Sequence, residues 1–185
     1  MALNLANRIS LLRLALVPIF VASLLKYTQA GEEIYRALAL AIFLLAVVSD
    51  FIDGYVARVK NQKTILGTFL DPLGDKFLLN SAIIILSLST SGLQRLPIWL
   101  TVAVISRDAV IVVGFLLVHL IHGHIEIIPS NIGKAAAVSQ MVLVIWVLCG
   151  VPAPYIMWKI TGFLTIVSGL SYAYRGAKLF GENAS

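Results

Sequence analysis

Short polar breaks divide the chain into six apolar runs, each about the 20 residues that a helix needs to cross a bilayer core. They are Ile9–Lys26, Ile34–Arg58, Gly67–Leu88, Pro97–Leu120, Ile132–Gly150 and Pro154–Tyr174. Gly31, Gly92 and Pro152 punctuate three of the breaks, as expected where a helix stops and the chain turns. A soluble domain of 185 residues has no interior for a sequence that is 59% hydrophobic and 12% charged. The expected fold is therefore all-α: a polytopic membrane protein with six transmembrane helices and a short N-terminal interfacial segment. No repeat, low-complexity stretch or soluble second region interrupts residues 1–185, which read as one domain. The first run is not a removable signal peptide on this reading. Arg13 and Pro18 break it, no small-x-small cleavage site follows, and Pro18 is expected to kink the retained helix.

The net charge of +5 is not a nucleic-acid footprint, because the basic residues are scattered between apolar runs. Their distribution orients the chain. With the N-terminus inside, Arg8, Arg13, Arg58, Lys60, Lys63, Lys76, Lys134, Arg175 and Lys178 lie at cytoplasmic ends, against Lys26, Arg36, Arg95 and Lys159 outside. Both termini are then cytoplasmic. Tyr27, Tyr35, Trp99, Tyr155 and Trp158 fall near the outer interface, where aromatic belts form. The single cysteine, Cys149, excludes disulfides within the chain and reads as a packing residue. His119, His122, His124 and Glu126 have spacing that zinc tolerates, but no second ligand cluster completes a site, so they read as interfacial. No Ser-His-Asp order and no glycine-rich phosphate loop is present.

The aspartates carry the chemistry. The chain has five, Asp50, Asp53, Asp71, Asp75 and Asp108, and all lie in or at the edge of apolar runs. An ionised carboxylate there costs several kcal/mol unless it is paired, metal-bound or wet. Ion pairs with Arg58, Lys60, Lys76 and Arg107 are the plain structural account. The spacing asks for more. Asp50 and Asp53 are three apart, Asp71 and Asp75 four apart, so each pair shares a helix face. The short turn Val59–Leu66 makes the two helices antiparallel neighbours, which brings all four carboxylates to one cytoplasmic depth. Four such charges repel, and the natural remedy is one or two hard divalent cations, Mg²⁺ or Mn²⁺. Two ions about 4 Å apart are the usual device for displacement at phosphorus. Gly54, Ala57 and Gly67 let a backbone or flat ligand approach closely, or simply pack helices tightly. Arg58 is placed to reach a phosphate or an aspartate.

Asp50 to Asp75 reads D-x2-D-G-x2-A-R-x8-G-x3-D-x3-D, which resembles the signature of the CDP-alcohol phosphotransferases at every fixed position. Asn7-Arg8-Ile9-Ser10-Leu11-Leu12-Arg13 resembles that family's leading N-x2-T-x2-R stretch, with Ser for Thr. Leu66 to Lys76 is similar to the phosphatidylglycerophosphate synthase and cardiolipin synthase branches, with Gly74 where Ala is usual. The resemblance implies transfer of a phosphatidyl group from CDP-diacylglycerol to an alcohol, with release of CMP. It implies that Asp50, Asp53, Asp71 and Asp75 bind two Mg²⁺ or Mn²⁺ ions and that Asp75 is also the general base. It further implies that Gly54, Ala57, Arg58 and Gly67 frame the cytidine nucleotide, and that the protein is a homodimer in a bacterial inner membrane.

A second group suggests an anionic acceptor. Arg107-Asp108 lies mid-span, either as a self-satisfied ion pair or facing a polar cavity. Ser130 or Asn131 caps the fifth helix, whose N-terminus with Lys134 attracts phosphate, and Arg175 closes the sixth helix on the same side. Arg107, Lys134 and Arg175 together suit glycerol 3-phosphate, giving phosphatidylglycerophosphate, or else phosphatidylglycerol, giving cardiolipin. Ser106-Arg107-Asp108 resembles the cardiolipin branch. Gly133-Lys134 and Ser168-Gly169-Leu170-Ser171-Tyr172 resemble the glycerophosphate branch, which is the preferred reading. A small cation transporter or channel would spread its acids across the bilayer and repeat in halves, and a purely structural membrane protein would not gather them.

Overall fold

The computed structural model describes the backbone of residues 5–60, 65–89, 93–122, 130–152 and 155–181, and the side chains of 12–49, 76–89, 93–114, 130–152 and 155–176. Among the described residues the only regular secondary structure is α-helix: α1 (Leu5–Ala30), α2 (Glu33–Lys60), α3 (Ile65–Leu88), α4 (Ile98–His122), α5 (Asn131–Leu148) and α6 (Tyr155–Gly181). Each covers one of the six apolar runs. The expected N-terminal interfacial segment is not a separate element, because α1 runs on through Pro18 from Leu5.

The helices end where local chemistry ends them. Gly31 takes φ 70° and donates its N–H to the Tyr27 carbonyl at 2.8 Å, a left-handed cap that suits glycine. Gly150, at φ 71°, closes α5 the same way, with Gly150 N–H on Val147 O at 2.9 Å and Val151 N–H on Trp146 O at 3.4 Å. Arg95 donates from Nε to the Ser87 carbonyl at 2.6 Å, placing a cation on the C-terminal end of α3. Cys149 sits in the α5 cap and is exposed, not packed inside. The turn that ends the helix carries it outward.

Contacts divide the chain into two compact units: Met1–Arg95 with Val144–Pro152, and Leu96–Leu143 with Ala153–Ser185. In the first, α1 packs on both α2 and α3, and α2 touches α3. Phe20 of α1 meets Phe43 of α2 with ring centroids 5.8 Å apart. Phe20, Leu24 and Tyr27 form a buried stripe at helical spacing, facing Ala39, Phe43 and Ala46. The small alanines let the helices approach closely. In the second unit α4 packs along α6, and Gly162 admits the Trp99 ring where an added Cβ would lie 2.4 Å from it. Arg107 lies against Gly169 further along the same pair, so α4 and α6 run parallel.

The outward faces are apolar. Leu45, Val48, Val102, Ile156, Phe163 and Leu170 are each more than half exposed. Facing water, such a surface would drive aggregation; facing lipid, it is the expected exterior. Within the described residues three helical stretches are long and apolar enough to cross a membrane: Leu12–Ala30, Asn131–Leu148 and Tyr155–Gly176.

Candidate active site

The two aspartate pairs lie on neighbouring helices. Asp50 and Asp53 belong to the C-terminal part of α2, and Asp71 and Asp75 to the N-terminal part of α3. The helices touch, and only residues 61–64 separate them in sequence. The side chains of Asp50, Asp53, Gly54's neighbours Ala57 and Arg58, and of Asp71 and Asp75 lie outside the described residues, as does the surrounding of Gly67. The donor types suit a hard divalent cation, since all four candidate residues carry carboxylates and lie on one pair of adjoining helices. Among the described residues no group of three or more histidines, cysteines or acids is arranged to hold a metal. His119, His122, His124 and Glu126 lie outside the described side chains.

The basic group is described in part. Arg107 is 9% exposed and its guanidinium is held on several sides. Nη1 donates to Asp108 Oδ1 at 2.8 Å, Nη2 to the Gly133 carbonyl at 3.1 Å, and Nε and Nη2 both to Ser168 Oγ at 3.3 Å. The ion pair with Asp108 is itself buried on both sides. Such a pair is retained only when further hydrogen bonds satisfy the charges, and here three helices supply them. Lys134 and Arg175 are exposed on α5 and α6. The structure thus ties Arg107 to the first turn of α5, one residue before Lys134, and leaves both other cations at the surface.

Ser130 is the α5 cap: its Oγ accepts the Gly133 N–H at 3.0 Å. Its own N–H donates to Tyr172 Oη at 3.2 Å, so α6 holds the start of α5. Gly133 makes room here, because an added Cβ would lie 2.9 Å from Tyr172 Oη, which would have to shift, and 3.1 Å from Ser130 Oγ. Sequence reading named Ser168 and Tyr172 only as part of a resemblance. Their work became visible through spacing: Thr161, Thr165, Ser168 and Tyr172 form one stripe of α6. The first three are fully buried. Thr165 Oγ1 receives a hydrogen bond from Gln140 Nε2 at 2.9 Å, and Thr161 Oγ1 donates to the Ser139 carbonyl at 3.4 Å. These are interhelical hydrogen bonds of the kind that join helices in lipid.

Comparison with known proteins agrees with the signature. The family model for CDP-alcohol phosphatidyltransferase matches residues 3–168. The CDP-diacylglycerol--glycerol-3-phosphate 3-phosphatidyltransferase of Bacillus subtilis is 35% identical over 187 residues, covering 91% of this chain and 93% of the relative. A probable phosphatidylglycerophosphate synthase of Mycobacterium tuberculosis is 34% identical over 185 residues, covering 96% of this chain and 84% of the relative. The human cardiolipin synthase (CMP-forming) is 30% identical over 195 residues, covering 93% of this chain but 61% of that protein. With eight signature residues in place on α2 and α3 and a match over nearly its whole length, the chain belongs to the CDP-alcohol phosphatidyltransferase family.

Proposed function

We propose that this protein transfers the phosphatidyl group of CDP-diacylglycerol to glycerol 3-phosphate, yielding phosphatidylglycerophosphate and CMP. The observation that carries this reading is the complete aspartate signature in a chain whose full-length relatives bear that activity in their names. Asp50, Asp53, Asp71 and Asp75 hold the Mg²⁺ or Mn²⁺ ions, two in number, and Asp75 also acts as base. When bound, the ions neutralise the diphosphate and stabilise CMP as the leaving group. Asp75 takes the proton of the acceptor hydroxyl. The hydroxyl oxygen forms its bond to the phosphatidyl phosphorus, and the bond from that phosphorus to the CMP oxygen breaks. Gly54, Ala57 and Gly67 frame the nucleotide, with Arg58 near its phosphates.

Lys134 and Arg175 receive the acceptor phosphate, beside the α5 N-terminus that Arg107 anchors. The six helices cross the membrane with both termini cytoplasmic and the site on that side, so the lipid tails stay in the bilayer during transfer. The whole chain acts as one catalytic domain, as a homodimer in a bacterial inner membrane. A second reading, transfer to phosphatidylglycerol, is favoured by Ser106-Arg107-Asp108 and by the human relative's name. Purified protein given CDP-diacylglycerol, Mg²⁺ and one acceptor at a time separates the two. CMP release is expected with glycerol 3-phosphate. Release with phosphatidylglycerol alone would overturn the preferred acceptor.

A further inference from the structure

Arg13 is 1% exposed and ranks among the largest fully buried side chains of the described residues. It is not an isolated charge. A buried guanidinium is retained only against an anion or several acceptors. Backbone register says which anions are in reach. Arg13 lies seven residues before Phe20, on the same buried stripe, and Phe20 contacts Phe43 of α2. The two helices are joined by the Gly31 turn and run antiparallel, so seven residues beyond Phe43 is the level of Arg13. The residue there is Asp50.

The third helix gives the same level independently. Leu25, Thr28 and Gln29 at the end of α1 and Ile85 and Leu88 at the end of α3 line one cavity of about 200 Å³; with α1 packed on α3 and their C-terminal ends together, the two helices run in the same direction. Fifteen residues back from Thr28 is Arg13, and fifteen back from Leu88 is Leu73, between Asp71 and Asp75. The remaining acids of this unit, Glu32 and Glu33, sit at the far end of α1, about 25 Å away at 1.5 Å per residue. We propose that Arg13 is a positively charged member of the aspartate site, paired with Asp50, and that it sets how much negative charge the site presents to a divalent cation. The proposal rests on the four-aspartate reading above. Arg13 is here a positioning residue, acting on metal through Asp50.

The sign of its effect separates this role from general support of the fold. Removing the guanidinium leaves more uncompensated negative charge, so metal binds more tightly, whereas a loosened fold binds metal less tightly. The test uses the full-length protein in detergent, stripped with EDTA and titrated with Mn²⁺ alone, free Mn²⁺ being read by electron paramagnetic resonance. Arg13→Gln is expected to bind Mn²⁺ about tenfold more tightly than the parent, the scale of removing one charge a few ångströms from a dication in a screened site. Its metal-free melting temperature should fall and recover on adding Mn²⁺, while Arg13→Lys should titrate like the parent. Unchanged or weakened binding in Arg13→Gln overturns the proposal. So does an unchanged Mn²⁺ titration with a raised KM for CDP-diacylglycerol, which would put the guanidinium on the substrate. Asp71→Asn, run alongside, should lose Mn²⁺ affinity. If it does not, the aspartate reading itself fails; if it does while Arg13→Gln is unaffected, only the role of Arg13 falls. Should Arg13→Gln fail to accumulate, Arg13→Gln with Asp50→Asn is expected to restore the yield, and no recovery would sink the pairing.

Discussion

Arg13 and Arg107 are both buried arginines in apolar helices, and they are treated in opposite ways. In the first unit the described packing between α1 and α2 is apolar, centred on Phe20 and Phe43, and four aspartates are gathered on α2 and α3. In the second unit Arg107 has its carboxylate next door, and Ser168 and the Gly133 carbonyl take more of its donors. A stripe of hydroxyls on α6 then joins three helices. One unit gathers four of the five aspartates, the basis of the proposed cation site. The other satisfies its charge internally, which equips it to hold helices in place. Arg107, named from sequence as an acceptor ligand, is also tied through the Gly133 carbonyl to the α5 N-terminus from which Lys134 projects.

The sharpest way to break that contrast is to remove one half of the second unit's ion pair. Arg107→Leu removes the buried cation that Asp108 faces and should cost about 3–5 kcal/mol, seen as a large fall in melting temperature in detergent. Arg107→Leu with Asp108→Leu should cost less than the single change. If the double change is as damaging, the pair is not closed on itself. Gly133→Ala comes next, at about 1–3 kcal/mol, because the new methyl displaces the Tyr172 hydroxyl that holds Ser130. Tyr172→Phe removes that oxygen, so it should be less costly in the alanine background than in the parent; additive losses in the double-mutant cycle would deny the contact. Ser168→Ala is the mildest, at about 1 kcal/mol, since Arg107 keeps Asp108 and Gly133. A melting temperature equal to that of the parent would mean the hydroxyl adds nothing.

Much of this was legible before any coordinates. Apolar run length located all six helices, and the third run shares its end at Leu88 with α3. Glycine chemistry marked the stop at Gly31, whereas Pro152 marked the turn after α5 and the left-handed cap proved to be Gly150. Side-chain caps were legible too, since Ser130 at the head of an apolar run is a helix-start signal. Register was not. Arg13 reads from sequence as a basic residue at a cytoplasmic end and the last residue of a family-like stretch, but only the Phe20–Phe43 contact sets it level with Asp50. Tyr172 and Gly133 lie far apart in sequence, and nothing local announces that one hydroxyl fills the space above the other's α-carbon. Cys149 was misread because hydrophobic surroundings in sequence do not say which side of a helix cap faces out.

The central claim is that the aspartates of α2 and α3 make this a metal-dependent phosphatidyltransferase. The most direct measurement is CMP release from CDP-diacylglycerol and glycerol 3-phosphate, by the parent and by Asp71→Asn, with Mg²⁺ present or removed by EDTA. The account predicts Mg²⁺-dependent release by the parent and its loss in Asp71→Asn, with the variant still folded and membrane-inserted. Turnover retained in Asp71→Asn, or unaffected by EDTA in the parent, would contradict it.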